Sequence, residues 1–564
     1  MTNASQETPL ERPTTPTSAV TAAVEVATEQ KDDSTSNRKV RVLTFIGLQL
    51  ALFLAALDGT IVSTALPTIG SDFNEMTLAS WVATAYILTL DSFQPLFSKF
   101  SDIFGRKWIL MFSIALFLFG SVLCGAAKSI IMLIVARAIA GIGGGGILSM
   151  VFVIIADLVP LEKRGSYQGV INSVFALASV FGPLIGGSFT DYVSWRWNFY
   201  INLPIGVAAM GVLLWFLQLP TPKDKFSEKL KRIDYVGTVI VLAFSTLFLL
   251  AMNFGGQMFP WNSAAVIVPL VLTGVLVCLL VVVESKYAKE PLMPPRLFKN
   301  QSVVSVLVTN SFFGLTFFSM LYFLPVYFQV VRNDSAMWSG IRLIPMQMVI
   351  CAFSTCSGIF ISKYGVYRPL LSMGFTLLTL CVGFISFFDI NTSWSMVYGI
   401  TVVGGAGLGL LFSSNVIALQ ASVELRDIAV VTGLGSFTRI LGGALGVAIS
   451  SAVLNSSLNQ NLPLVIPPQY AAQVIQSSEF VRQGLPAEYM QQTLEVYVEA
   501  LRLIWHVIIP MAGMGFIASL FVRHYEIRKP KANEEKTKGS NEDVYKEKVR
   551  EVIISVSHIS SYEI

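Results

Sequence analysis

The chain reads as an all-α polytopic membrane protein with fourteen spans, and three observations point there. Of its 564 residues 54% are apolar and 13% charged, about half the charged share of a soluble domain. Apolar runs of roughly 20 residues, the length that crosses a bilayer as a helix, recur fourteen times along it. Lys and Arg then crowd every second connection between the runs, the bias that fixes membrane orientation.

The runs fall at 43–66, 79–98, 108–127, 131–155, 167–190, 199–218, 234–254, 264–284, 302–324, 339–361, 369–388, 395–419, 429–454 and 501–523. Each is expected to be helical, because a helix satisfies its own backbone hydrogen bonds in lipid. One set of connections carries Lys99/Arg106/Lys107, Lys163/Arg164, Lys223/Lys225/Lys229/Lys231/Arg232, Lys286/Lys289/Arg296/Lys299, Lys363/Arg368 and Arg426. The other set has little beyond Lys128, Arg196, Arg332 and Arg482. Both termini are therefore expected in the cytoplasm, which requires an even number of spans.

Five segments follow: a disordered cytoplasmic tail over 1–42, a six-helix half over 43–218, two extra helices with linkers over 219–300, a second six-helix half over 301–524, and a cytoplasmic tail over 525–564. The first tail is rich in Thr, Ser, Glu and Pro with no apolar core, unlike a cleaved leader. Residues 456–498 read as one long outer loop. Asn455, Asn391 and Asn333 stand in outer Asn-x-Ser/Thr sequons and are candidate glycosylation sites.

The net charge of +4 is too small for a nucleic-acid partner. All five cysteines lie inside apolar runs and the three histidines make no ligand spacing, so neither a metal nor a catalytic constellation is expected. Gly141–Gly146 lies within an apolar run and lacks the Gly-Lys-Ser/Thr ending of a nucleotide-binding loop. No enzyme, cofactor or nucleotide is expected, and the bilayer is the expected surrounding.

Ionisable residues inside spans are costly and therefore candidates for function. Asp58 lies ~12 Å from the outer end of the first run and Arg137 ~9 Å from the outer end of the fourth, at 1.5 Å per residue. The two charges thus reach nearly one depth from opposite directions, and a pair or a shared cavity is inexpensive there. Protonation of Asp58 would weaken its hold on Arg137, the coupling a proton-driven carrier needs. Asp91, ~10 Å from the inner end of the second run, is either a second proton or cation site or a hydrated helix end. Arg439 has no acid at its depth in its own half; packing is its first expected role, with facing an aqueous cavity, bonding backbone carbonyls or meeting an anionic substrate group as the alternatives.

Ser98-Lys-Phe-Ser-Asp-Ile-Phe-Gly-Arg-Lys107 joins the second and third runs. Gly105 allows a tight turn that presents Asp102, Arg106 and Lys107 at helix ends, a potential conformational latch. This stretch resembles the loop motif of the major facilitator superfamily, with Ser98 where the family has glycine. Leu57-Asp-Gly-Thr-Ile-Val-Ser-Thr-Ala-Leu-Pro67 resembles the first-span motif of its fourteen-span drug:proton antiporters. Ala136-Arg-Ala-Ile-Ala-Gly-Ile-Gly-Gly-Gly-Gly146 is similar to the span-4 arginine motif. Ala176-Leu-Ala-Ser-Val-Phe-Gly-Pro-Leu-Ile-Gly-Gly187 is similar to the span-5 antiporter motif, with Gly182, Pro183, Gly186 and Gly187 in register. Trp195-Arg-Trp-Asn-Phe-Tyr-Ile-Asn-Leu-Pro-Ile-Gly206 is typical of the same group. The resemblance covers about residues 40–525 and is closest to fungal-type multidrug and toxin efflux carriers.

The resemblance implies the major facilitator fold, two six-helix halves plus two extra linking helices, with a central cavity opening alternately to each side. Asn310, Phe313, Phe317, Tyr322 and Asn415 are its expected lining, apolar and stacking with few polar anchors. It implies a proton-coupled exporter of small organic compounds in the cell membrane. A vacuolar basic amino-acid/proton antiporter stands as the alternative, ahead of a siderophore-uptake carrier. A non-transporting receptor has no use for the embedded charges.

Overall fold

Fourteen long helices carry most of the residues that the structure, a computed structural model, describes: 40–219, 225–255, 259–288, 290–476 and 480–525. They are α1 (Val40–Ile61), α2 (Met76–Phe104), α3 (Arg106–Gly125), α4 (Ile130–Leu158), α5 (Leu161–Tyr192), α6 (Trp197–Phe216) and α7 (Tyr235–Phe254). There follow α8 (Ala264–Lys286), α9 (Gln301–Val326), α10 (Ala336–Tyr364), α11 (Arg368–Ile385), α12 (Trp394–Ala421), α13 (Ile428–Val465) and α14 (Ala487–Leu520). Each takes up one expected span. Twelve are long and apolar enough to cross a membrane. The exceptions, α2 and α5, are diluted by polar residues such as Asp91, Gln94, Gln168 and Asn172, all of them buried. Both tails fall largely outside the described residues.

α4 packs along both α2 and α3, and α3 receives α6. In the later set α9 packs along α13, α10 and α11 along α12, and α14 against α9 and α11. The two sets meet where α2 lies on α13 and where α5 lies on α10. Second and fifth helices of one set thus face fifth and second of the other, the pairing of a pseudo-two-fold repeat.

The seams close tightly at the end bearing the basic connections, called the basic face below. Gly165 and Gly358 are set so close that a Cβ on either would strike the other's backbone carbonyl. Beside them Asn172 Nδ2 donates to Ser354 Oγ, the Ser166 amide to Ser362 Oγ at 3.2 Å, and Cys351 Sγ to the Asn172 carbonyl at 3.3 Å. Arg164, buried, donates to the carbonyls of Val159 and Ala156 and reaches across to Gln420 Oε1 at 3.2 Å. On the other seam Ser98 fits against Gly433. The serine that replaces a glycine in the loop motif is therefore in a close-packed position after all. Its hydroxyl meets Ser149 Oγ at 2.7 Å.

The extra hairpin sits against one seam. α7 packs on both α2 and α13, through Ser92 with Thr246 at 3.4 Å, Trp81 edge-on to Phe254, and Phe244 edge-on to Phe437. α8 lies outside it and is almost wholly uncovered. The linkers are tied down by ions: Glu290 meets Lys99 at 3.2 Å and Arg232 at 2.6 Å, and Arg296 meets Asp427 at 2.6 Å.

Three expectations change. The stretch 456–498 is mostly helical: α13 continues to Val465, short helices cover Pro468–Gln476 and Phe480–Gln483, and α14 begins at Ala487. Its apolar spacing buries Ala471, Val474, Val481 and Tyr497 against the later helices. Asn455 consequently lies within α13 instead of opening a loop. Asn333 sits in a left-handed turn and Asn391 is exposed. Finally, α2 runs on to Phe104, so Asp91 lies ~20 Å from its end instead of ~10 Å.

Candidate functional site

Asp58 and Arg137 meet at 2.5 Å, with side chains 0% and 2% exposed. Ser129 caps α4 by accepting the Met132 amide, which sets Arg137 two turns into the helix. Asp58 stands three residues before the end of α1, where the chain turns through Val62–Thr64 into a short helix starting at Leu66. The carboxylate also accepts from Asn202 Nδ2 at 2.9 Å, and that amide donates in turn to Ser121 Oγ at 3.2 Å. Arg137 Nε donates to the Val82 carbonyl at 3.0 Å. The Tyr86 ring covers the guanidinium at 4.1 Å, with Phe199 5.7 Å away, an additional attraction for a desolvated cation. Tyr86 is fixed by its own hydroxyl, which donates to the Ala55 carbonyl at 3.1 Å.

A pair so enclosed is held by geometry, not by Coulomb attraction alone. Desolvation of two ions is expensive, and removing one partner of such a pair costs about 3–5 kcal/mol. Loss of either charge would therefore leave the other buried and uncompensated. Depth matching in the sequence anticipated it. Asn202 and Phe199 were visible only as part of the Trp195–Gly206 run and had no role until α6 placed them on the pair.

The α5 glycines serve the same region. Gly182 packs on Thr60 and Gly186 on the Ile61 carbonyl, while Thr60 Oγ1 donates to the Ala178 carbonyl at 3.1 Å. Gly187 has nothing near it. Adjacent helical residues point ~100° apart, so only one of Gly186 and Gly187 can face α1. The side chain of Pro183 lies outside the described residues.

At the basic face Gly105 has φ 98° and separates α2 from α3. Arg106 binds Asp102 at 2.5 Å and Asp157, at the end of α4, at 2.9 Å; Lys107 donates to the Leu214 carbonyl of α6 at 2.8 Å. These four residues link α2, α3, α4 and α6, all within the first set of helices. Besides Ser98 against Gly433, contacts that cross between the sets at this face come from Arg164, Ser166, Asn172 and the Gly165–Gly358 approach, which sequence reading did not single out. Their signal, a small or polar residue at one turn's spacing on α5, is indistinguishable from ordinary helix packing.

Asp91 is fully buried, and among the described residues neither carboxylate oxygen has a hydrogen-bond partner. Its neighbouring charge is Arg439, from the other set of helices. Ser98 abuts Gly433 on the antiparallel α13, so two turns further along each helix Asp91 comes level with Arg439 and Ile440. The acid nearest to Arg439 thus comes from the opposite half, and among the described residues the two form no ion pair.

Of the expected cavity residues, Phe313, Asn310 and Asn415 are buried. Asn415 Oδ1 accepts from Thr309 at 2.9 Å, and Phe313 backs Phe317 and Phe412 at 6.1 and 4.8 Å between ring centres. Phe317 is partly open. Tyr322 is 48% exposed.

A family model described as Major Facilitator Superfamily matches residues 48–447. The chain belongs to that superfamily. Its members are membrane transporters, and the multi-pass helical architecture agrees. Among curated relatives it is 36% identical over 496 residues to "Efflux pump FUS6" of Gibberella fujikuroi, covering 86% of this chain and 89% of the relative. It is 35% identical over 498 residues to "MFS-type efflux pump LUC4" of a Fusarium species, covering 86% and 88%. An uncharacterized MFS-type transporter of Schizosaccharomyces pombe is 35% identical over 516 residues, covering 91% and 85%. The fold is also that of a crystallised bacterial homologue of the human lysosomal transporter Spinster, at TM-score 0.53 and 16% identity, over 87% of this chain and 99% of that one.

Proposed function

We propose that this protein is a proton-coupled carrier that exports small organic compounds by alternating access, working in the plasma membrane. The observation that carries the coupling is the enclosed Asp58–Arg137 pair, held by Asn202, Val82 and Tyr86. Efflux-pump relatives over nearly the full chain support the direction of transport.

In this reading a proton on Asp58 cancels the charge attraction while the Asn202 hydrogen bond keeps the carboxyl in place. Arg137 then relies on Tyr86 and the Val82 carbonyl. The cost of a cation without its counter-ion favours a different placement of α1 against α4. α1 is packed on the α5 glycines, and α5 forms a seam with α10, so the displacement reaches the contact between the two sets. The closed basic face is then one end state. The Arg164–Gln420 and Asn172–Ser354 bonds must open in the other.

The decisive experiment reconstitutes the purified protein in vesicles with an imposed pH gradient and follows both internal pH and efflux of a panel of fluorescent dyes. Dye movement that requires the gradient, and dissipates it, is expected. Transport indifferent to the gradient would remove the coupling. Microscopy of a tagged chain distinguishes the cell surface from the vacuolar rim.

A further inference from the structure

Deep in the bundle, Arg439 presents a cation with nothing to bind. Its guanidinium is partly open yet surrounded by protein, and among the described residues it makes no hydrogen bond or ion pair. Its one close partner is the Phe412 ring at 5.5 Å. That ring belongs to an aromatic group with Phe317 edge-on at 5.7 Å and Phe313 behind both. Asp91 of α2 is its neighbouring acid, likewise unbonded through both oxygens among the described residues and too far away to form an ion pair with it. The Gln94 amide nitrogen one turn along α2 is also without an acceptor.

Unused polar groups of this kind are costly in a closed interior, and a guanidinium offers five donors in a planar fork that fits a carboxylate with two parallel bonds. A rigid aromatic wall next to it receives a flat apolar body. On the reading that the chain carries small organic compounds, we propose that Arg439 is the anchor for an acidic group. The substrate class is then organic acids with an aromatic or extended apolar body. Phe412 and Phe317 receive that body. Asp91 is the resident counter-charge, which lowers the attraction for anions and keeps the empty site from trapping them. The site is assembled from both sets of helices, since Asp91 comes from α2 and Arg439 from α13.

The test uses three probes of one shape and different charge: 1-naphthoate, 1-naphthamide and 1-naphthylmethylammonium. Binding is measured by calorimetry on purified protein with no gradient. Naphthoate should bind at least roughly tenfold more tightly than the ammonium probe, the worth of one charge-assisted hydrogen bond. Arg439→Gln should lose that advantage while naphthamide binding stays, and Arg439→Lys should keep part of it. Asp91→Asn should bind naphthoate more tightly than wild type. Equal naphthoate binding in wild type and Arg439→Gln, or a preference for the ammonium probe, overturns the proposal. If Arg439→Gln does not fold, the order of the three probes on wild type decides. Because no transport is involved, loss of the anion preference leaves export standing, and failure of gradient-driven export leaves the anion site standing.

Discussion

Gly165 on α5 and Gly358 on α10 face each other so closely that neither has room for a methyl group without striking the other's carbonyl. The two residues are nearly two hundred positions apart, yet the closed basic face depends on both. Gly165→Leu and Gly358→Leu should each shift the protein away from this closed state, since overpacking of a tight site costs about 1–3 kcal/mol. Transport should fall at least tenfold while the melting temperature stays within a few degrees. Labelling of the native Cys351, which bonds to the Asn172 carbonyl in this seam, should become faster.

Asp58→Asn keeps the shape of the carboxylate and its Asn202 neighbour but cannot cycle a proton. Export driven by a pH gradient should be abolished, with the protein still expressed and folded. Arg137→Ala should instead lower stability markedly, because it leaves Asp58 as a buried ion without its partner, a loss of about 3–5 kcal/mol. Melting curves beside proton-flux traces separate the two outcomes. Full activity in Asp58→Asn would remove the acid from the mechanism.

The linker acid Glu290 gives a pH dependence with a definite sign. Burial pushes its carboxyl up, but hydrogen bonds and charge from Arg232 and Lys99 outweigh burial and hold it below the usual glutamate range. A depressed acid contributes stability above its unfolded pKa of about 4.3 and loses it as pH falls through the folded value. Glu290→Gln should therefore melt slightly below wild type at pH 7, and the difference should vanish under strongly acidic conditions. The effect is small, about 1 kcal/mol or less for a pair this exposed.

Asn455 lies inside α13, where a sequon is not presented as a surface loop. Asn455→Gln should leave gel mobility unchanged, before and after glycosidase treatment. A shift on substitution would mean that α13 unwinds there during synthesis.

The sequence carries depth well and register poorly. Fourteen helices were readable because a bilayer imposes a length, and the Asp58–Arg137 pair because helical rise converts residue count into depth. Asp91 and Arg439 were each visible as misplaced charges. Their juxtaposition needed the contact of Ser98 with Gly433, a register between helices more than three hundred residues apart. The α5 glycines were visible as a motif, but which of them face α1 required the rotation of α5 about its own axis. The 456–498 stretch misled because its prolines mark the ends of short helices as readily as they mark a loop.

The α7–α8 hairpin makes the two flanks of the molecule unequal. It roofs the line where α2 meets α13, whereas α5 and α10 present bare apolar surface such as Val170, Leu177, Ile359 and Phe360. Lipid is screened from one flank and wets the other. The extra pair of helices thus covers one of the two seams between the sets and leaves the other to the surroundings.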